Sequence, residues 1–289
     1  MQLGVSLNST HTADGPRLMI ERARAAHRAG FASLSIGDRH AMPIPYVQNT
    51  PMLGRLLAEW PARPAGCLFL VPLWPPLLMA EQIGTLAATH DGPFIAQTGI
   101  GAGAEQFAAV GADLRTRGRV LEEAVAVVKA LLAGETVDAP TFDMVGGKVG
   151  LRPDRPVEWW ISAGVDRALE RAARIGDVWY AAPTVLADDE GRRMLDHYRS
   201  AGGARAAIRK DALVLEDGDE ARRLAAELVA RGYRGMSIDA LIVGDPDDAA
   251  AQLAGYAEAG FDELVIRCMT VPQEAALETL ANLGPLAAG

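Results

Sequence analysis

The chain has 289 residues, 49% of them hydrophobic and 22% charged, which is typical of a globular protein that buries a core without disulfides or a structural metal. Its 37 acidic residues outnumber its 28 basic ones, and the net charge of −9 argues against binding to nucleic acids or anionic membranes. Two isolated cysteines exclude a disulfide scaffold and a cysteine-rich zinc site. With neither a signal-peptide pattern nor a membrane-length apolar run, we expect a soluble cytoplasmic protein.

Short β-rich runs alternate with helical runs along the chain. The predicted strands are Gln2–Leu7, Phe31–Gly37, Gly66–Val71, Phe94–Ile100, Val157–Ile161, Asp177–Ala181, Ala212–Leu215 and Glu263–Arg267. The predicted helices are Arg17–Ala29, Leu53–Trp60, Pro76–Thr89, Leu114–Ala133, Asp166–Arg174, Asp188–Ala201, Glu220–Arg231, Asp247–Ala259 and Pro272–Ala281. Residues 38–52 predict a proline-rich loop, and residues 134–156 an inserted hairpin or loop.

This alternation predicts an α/β fold with a parallel sheet. About eight units in one domain, residues 1–289, fit a (β/α)8 TIM barrel with an inserted loop or hairpin region. A doubly wound sheet is the alternative. Because barrel enzymes carry their chemistry at the carboxyl ends of the strands, candidate site residues are sought there.

Polar side chains follow the second predicted strand. Asp38, Arg39 and His40 stand in a row where that strand ends. A histidine there can carry a proton near neutral pH, and a carboxylate can orient it. The alternative is an ion pair between Asp38 and Arg39 with a solvated histidine.

Two glycine-containing turns follow later strands. Gly99-Ile100-Gly101-Ala102-Gly103 allows a flat ring or a phosphate to approach the backbone, but Gln106 breaks the dinucleotide fingerprint. Ser162-Ala163-Gly164 opens a helix, where N–H groups and the helix dipole favour an anion. An ordinary N-cap by Ser162 is the alternative for the second turn.

Three further residues are candidates for contact with a substrate. His11 follows the first strand and lies either in the pocket or in a solvent loop, Trp74 belongs to the core or stacks on a ligand ring, and Cys268 is a buried thiol at a strand end. No metal-ligand spacing is present, so we predict no metal. The lysines fall in a helix and in irregular segments, which disfavours an aldolase-type Schiff base.

A series of short motifs runs through nearly the whole chain in a fixed order. They are Ala29-Gly30-Phe31, Ile36-Gly37-Asp38-Arg39-His40, Pro76, Ala80-Glu81-Gln82, Thr85-Leu86, Asp91-Gly92-Pro93-Phe94, Gly99-Ile100-Gly101-Ala102-Gly103, Arg119, Glu122-Glu123, Trp160-Ile161-Ser162-Ala163-Gly164, Gly176-Asp177, Val243-Gly244-Asp245-Pro246 and Ala259-Gly260-Phe261-Asp262. The ordered set resembles the bacterial luciferase-like monooxygenase superfamily, whose members are flavin- or deazaflavin-dependent oxidoreductases on a TIM barrel.

The resemblance implies roles for particular residues. Asp38 and His40 would be the catalytic acid or base, beside the cofactor contact Arg39. The remaining implied cofactor contacts are Leu68, Phe69, Gly101, Ala102, Gly103 and Glu105 along the ring, and Ser162, Ala163 and Gly164 at its phosphate. The family also often has a non-proline cis peptide at the end of the third strand.

The chain departs from the family pattern at two prolines. Pro75 stands where a His-Pro pair is common, and Pro93 replaces the arginine of a Gly-Arg-Phe motif. These departures motivate the hypothesis of a catalytically inactive barrel that binds a ligand or partner.

The resemblance favours an oxidoreductase that uses the deazaflavin F420 to transfer a hydride to or from a small organic substrate. The alternative is a monooxygenase that uses reduced FMN and O2, with the flavin supplied by a separate reductase. A cluster of basic side chains at the phosphate end would favour F420. The resemblance also implies a homodimer.

Overall fold

The computed structural model of the chain describes residues 1–8 and 11–287. Within these residues the strands, β1 to β11 in chain order, are Gln2–Leu7, Leu34–Ile36, Ala65–Leu70, Phe94–Gly99, Val137–Ala139, Met144–Gly147, Glu158–Ala163, Val178–Ala181, Arg205–Val214, Ile242–Gly244 and Glu263–Cys268. The α-helices, α1 to α10, are Gly15–Ala29, Asn49–Leu56, Pro76–Ala88, Ala104–Ala109, Arg117–Ala133, Asp166–Ile175, Asp189–Ser200, Gly218–Ala230, Pro246–Ala259 and Gln273–Ala287. None of the helices so described is long and apolar enough to cross a membrane.

Eight parallel strands close into a ring. Their order is β1-β2-β3-β4-β7-β8-β9-β11, and β11 pairs back onto β1. The short β10 pairs with the carboxyl-terminal end of β9, and β5 and β6 form an antiparallel hairpin between α5 and β7. The ring confirms the predicted (β/α)8 barrel with its inserted hairpin, and the doubly wound alternative is wrong.

Side chains alternate between the two faces of the ring, as the two-residue period of a strand requires. The outward residues, such as Val5 and Phe69, pack under the helices in one large apolar shell. A smaller inner cluster fills the middle of the barrel: Ile95, Trp160, Val178, Tyr180, Ala207 and Val265. The barrel is therefore closed in its middle, and space for a ligand remains at the carboxyl ends of the strands.

Several elements differ from their predictions, and β10 was not predicted. Helix α2 begins at Asn49, inside the predicted loop, and the buried Asn49 amide donates to the carbonyl oxygen of Leu68 at 2.7 Å. Helix α4 was not predicted. Strand β9 begins at Arg205 rather than Ala212, because its four charged residues interrupt the apolar pattern by which a buried strand is recognised.

Lys210 lies in the middle of β9, so its predicted place in an irregular segment is wrong. Its buried ammonium donates to the carbonyl oxygens of Pro183 at 2.8 Å and Val185 at 2.6 Å, and it lies 4.7 Å from the centre of the Tyr256 ring. Burial lowers the pKa of Lys210 to about 7. The side chain shares the outward face of the strand with Ile208, so it fastens loops to the barrel and does not reach the mouth.

The fold predicts a strong effect of one added methyl group. Gly66 sits on the inner face of β3, where a Cβ atom would lie 1.9 Å from the carbonyl oxygen of Ile95. Gly66→Ala must therefore push β3 away from β4, and we expect it to lower the free energy of unfolding in urea by about 1–3 kcal/mol or more. Gly150→Ala is the matched control, since its Cβ would meet nothing within 4 Å. Equal losses in the two variants would contradict the close approach.

Candidate functional site

A cavity of about 890 Å³ opens at the carboxyl ends of the barrel strands, within the size range of small-molecule and cofactor sites. Its walls come from six strands of the ring and the segments that follow them: Asp38, Arg39, Leu68, Leu70, Gly99, Ile100, Gly101, Ala102, Gly103, Gln106, Ser162, Ala163, Gly164, Val165, Ala168, Arg171, Tyr180, Ala181, Ala182, Pro183, Arg209 and Arg234. Four arginines and one carboxylate among them give the cavity a positive balance.

One wall is an apolar slot between β3 and the end of β4. Leu68 and Leu70 point inward from β3, opposite the run from Gly99 to Gly103. Gly101 has a φ of 67°, which favours glycine. Phe69 does not reach the cavity, because it lies one residue out of phase and is buried in the outer shell. All peptide bonds among the described residues are trans, so the implied cis peptide is absent.

Asp38 is the centre of a hydrogen-bonded group at the end of β2. Its Oδ2 accepts hydrogen bonds from the Leu70 backbone N–H and from Trp74 Nε1, each at 2.8 Å. Its Oδ1 lies 3.2 Å from His40 Nε2. The side chain of Asp38 is 0% exposed and that of His40 is 20% exposed. The interaction with Asp38 raises the pKa of His40 although partial burial opposes it, so the pair favours a protonated imidazole.

Arg39 and His40 take different positions. Arg39 lines the cavity, and His40 lies beside Asp38 with its ring edge-on to Trp74. The His40 backbone N–H donates to the side chain of Gln106, which lines the cavity from α4. Glu105, the predicted cofactor contact, is exposed and points elsewhere, since neighbouring residues of a helix face different directions.

The predicted phosphate site lies at the amino-terminal end of α6. Ser162, Ala163 and Gly164 all line the cavity, and a Cβ at Gly164 would meet nothing within 4 Å, so this turn leaves open space. The helix N-cap is Val165, so Ser162 is not the ordinary cap. Arg171 of the same helix also lines the cavity, and burial lowers its pKa. The helix end and this guanidinium together form a place for an anion.

The three candidate substrate contacts do not line the cavity. Trp74 contributes through its hydrogen bond to the carboxylate. The Nδ1 atom of His11 lies 3.1 Å from the carbonyl oxygen of Pro45, and its ring stacks on Tyr46. Cys268 is buried with its Sγ 3.5 Å from the carbonyl oxygen of Ala276, and burial raises its pKa to about 11. No group of three or more potential metal ligands occurs in the described part of the chain.

Sequence reasoning missed several cavity residues: Leu70, Gln106, Arg171, Tyr180, Arg209 and Arg234. Tyr180 could have been predicted from the sequence, because it stands at an inward position near the end of a predicted strand. Arg209 would have been found had β9 been extended to Arg205, since it shares a face with Ala207. Arg234 carried no such signal, because it follows a helix in an irregular loop.

The two family departures lie at different ends of the barrel. Pro93 directly precedes β4, whose six residues separate it from the mouth by about 20 Å, since each residue advances a strand by about 3.3 Å. Pro75 is the N-cap of α3, next to Trp74 at the carboxyl end of β3. The substitution at Pro93 therefore does not touch the cavity.

The Asp38–His40 pair predicts a pH-dependent contribution to stability. Because the folded pKa of His40 is raised, the contribution is fully present below the unfolded pKa of about 6.5 and is lost as pH rises through the folded pKa. We expect His40→Gln to remove this loss when the free energy of unfolding in urea is measured at pH values across the titration range of His40. His90→Gln is the control with opposite sign, because burial lowers the pKa of His90. If the free energy of unfolding depends on pH in the same way in the wild type and in His40→Gln, the pairing of Asp38 and His40 is contradicted.

Comparison with known proteins supports the fold and the family. A model of the luciferase-like monooxygenase family matches residues 1–237. An uncharacterized protein of Mycobacterium tuberculosis is 28% identical over 187 residues, 55% of this chain and 63% of that protein. This chain thus matches less than two thirds of that relative's length.

Two other similarities extend over nearly the whole chain. The F420-dependent glucose-6-phosphate dehydrogenase of Beutenbergia cavernae is 26% identical over 313 residues, 92% of each chain. The crystal structure of the monooxygenase RslO1 from Streptomyces bottropensis superposes with a TM-score of 0.83 at 18% identity, covering 99% of this chain and 98% of the other. The match of the family model over most of the chain shows that this protein belongs to the luciferase-like monooxygenase family.

Proposed function

We propose that the protein is an F420-dependent oxidoreductase that transfers a hydride between the deazaflavin ring and a small organic substrate. The observation that carries this proposal is the form of the cavity. A glycine-edged apolar slot lies beside the Asp38–His40 pair, and the cavity continues to a helix end with the half-buried Arg171. The Beutenbergia cavernae relative, which is F420-dependent, supports the same cofactor.

The residues present fit a flat ring that carries a phosphate. Leu68 and Leu70 would contact one part of the ring, and the backbone from Gly101 to Gly103 would lie close to its edge. The open turn at Gly164 and the first turn of α6 would hold the phosphate, with Arg171 as its counter-charge. When bound, the deazaflavin supplies or accepts the hydride.

The protein would supply orientation and a proton site. Trp74 and the Leu70 N–H fix the Asp38 carboxylate, whose Oδ1 lies 3.2 Å from the Nε2 atom of His40. This contact would leave Nδ1 of His40 to take up or release a proton. Arg39 cannot take this role, because a guanidinium does not lose its proton. We assign the proton to the Asp38–His40 pair, in which Asp38 lines the cavity and orients His40 beside it.

The basic side chains favour F420 over FMN. The deazaflavin carries a phosphate followed by a glutamate tail, so it brings more negative charge than FMN. Arg171 and Arg39 both line the cavity and would attract that charge.

Four further expectations remain predictions. They are the cytoplasmic location, the homodimer, the single domain over residues 1–289 and, for the FMN alternative, a separate reductase.

The test is a pair of fluorescence titrations of the purified protein with F420 and with FMN. We expect F420 to bind at least tenfold more tightly, about 1.4 kcal/mol. Arg171→Met should weaken F420 binding by tenfold or more, because it removes the counter-charge beside α6. Arg174→Met is the matched control on the same helix, since Arg174 is 60% exposed and pairs with Glu122 outside the cavity.

Each other outcome contradicts part of the proposal. A preference for FMN would replace hydride transfer by the monooxygenase reaction, to be followed by oxygen consumption. Binding of neither cofactor would favour the inactive barrel. An equal loss in the Arg171 and Arg174 variants would show that general charge attracts the cofactor and that the α6 site does not hold it.

A further inference from the structure

A second group of arginines lies at the barrel mouth, on strands that the cofactor proposal does not use. Arg209 and Asp211 point inward from β9, and Arg267 stands beside Asp211 on the neighbouring strand β11. Arg234 joins them from the loop after α8. With Tyr233 these residues form the β9–β11 cluster, which carries three positive charges and one negative charge.

Asp211 holds the cluster together. Its side chain is 0% exposed, and its Oδ2 accepts a hydrogen bond from the Tyr233 hydroxyl at 2.8 Å. Arg209 Nε lies 3.5 Å from Oδ1, and Arg234 Nε lies 3.4 Å from Oδ2. One buried carboxylate therefore faces two guanidinium groups directly and lies beside a third.

The positive charge of the cluster is not balanced. The Nε atom of Arg267 is buried and has no hydrogen-bond partner among residues 1–8 and 11–287. The Nε atom of Arg209 and the Oδ1 atom of Asp211, 3.5 Å apart, are also buried and make no hydrogen bond with the described residues. Burial, together with the neighbouring charges of Arg267 and Arg209, lowers the pKa of Arg234 to about 10. Buried donors without partners are costly, so the site is prepared for an acceptor from outside the chain.

The backbone also directs one arginine into the cluster. Arg234 has a φ of 50°, in the left-handed region that a non-glycine residue rarely adopts, and it lies between Gly232 at 84° and Gly235 at 66°. Such a conformation costs about 1 kcal/mol or more and persists where surrounding contacts fix it. The contact with Asp211 is one that does so.

Ring order separates this cluster from the proposed cofactor slot. In the closed ring of eight strands, β9 lies four positions from β3, and β11 lies four positions from β4. The arginines thus stand across the mouth from Leu68, Leu70 and the glycine run. Arg209 and Arg234 line the cavity, and Arg267 adjoins them through Asp211. A ring bound in the slot would leave this side of the cavity for a substrate.

We infer that the β9–β11 cluster binds an oxyanion group of the substrate. This group is a phosphoryl or carboxylate group located at a distance from the reacting carbon. This inference rests on the proposed function for the nature of the reaction, but not for the anion site itself. The guanidinium groups of Arg209, Arg234 and Arg267 contact the oxyanion, and the net charge of the cluster suits a dianion. Asp211 and Tyr233 are positioning residues: the Asp211 carboxylate holds the arginines in place, and the Tyr233 hydroxyl donates to it.

The experiment titrates inorganic phosphate into the cofactor-free protein by calorimetry, at constant ionic strength set with chloride. We expect specific binding by the wild-type protein and a loss of tenfold or more in Arg267→Met. Arg231→Met is the control next to the same loop, because its side chain is 75% exposed and lies outside the cavity. Arg171→Met should keep the phosphate site that Arg267→Met removes.

The variant Asp211→Asn tests whether Asp211 acts by positioning the arginines or only through its charge. The change raises the positive charge of the cluster by one, so attraction alone would tighten phosphate binding. If the carboxylate positions the arginines, binding weakens in spite of the added charge, and this is the result we expect. Circular dichroism and thermal unfolding of each variant check that the barrel is intact. Tighter binding by Asp211→Asn would overturn the positioning role.

A parallel F420 titration distinguishes the two proposals. We expect Arg267→Met to leave F420 affinity within about threefold, less than 1 kcal/mol. If it weakens F420 as much as phosphate, the cluster serves the cofactor and the inference is wrong. Absence of specific phosphate binding, or its loss only in Arg171→Met, would also overturn it. Failure to bind F420 alone would reject the proposed cofactor and leave the anion site intact.

Discussion

Six side chains packed inside the barrel determine where this protein can bind a ligand. Ile95, Trp160, Val178, Tyr180, Ala207 and Val265 fill the middle of the closed ring. Because the ring pairs each of its strands on both sides, the space above this layer is bounded by whatever follows the strands at their carboxyl ends. Polar and glycine residues stand there without disturbing the apolar shell beneath the helices, so stability and chemistry occupy different layers of the same strands.

The cavity has the opposite charge to the protein as a whole. The chain carries a net charge of −9, but four arginines and one carboxylate line the cavity. A recessed site with low-dielectric walls focuses its local field, so it can attract small anions although the outer surface repels polyanions. The net charge of the chain is thus a poor guide to the charge of the ligand that the cavity suits. Arg171 on α6 and the pair Arg209 and Arg234 place this positive charge in two parts of the cavity, and Arg39 adds to it at the end of β2.

Much of the cavity lining could be predicted from the sequence, and two of the predicted residues that do not line it share a common cause. Asp38, the glycine run and Ser162–Gly164 all line the cavity, because each follows an apolar strand that the sequence marks clearly. Phe69 and Glu105 were each chosen one residue away from the side chain that lines the wall, Leu70 and Gln106. A shift of one residue turns a side chain to the other face of a strand, and by about 100° around a helix. A sequence motif therefore indicates which segment lines the cavity, but the orientation of the strand or helix decides which of its residues does so.

The sequence by itself determined the eight-stranded barrel, the inserted hairpin and the end of the barrel that carries the polar residues. These features follow from hydrophobic periodicity and turn residues, which are local properties of the chain. Only the tertiary structure decided that Arg209, Arg234 and Arg267 meet around Asp211, and that Arg39 rather than His40 lines the cavity. Closing the ring brings together strands and loops that are distant in sequence. The interactions among these charges depend on their distances and their burial in three dimensions, and the order of residues along the chain does not show either.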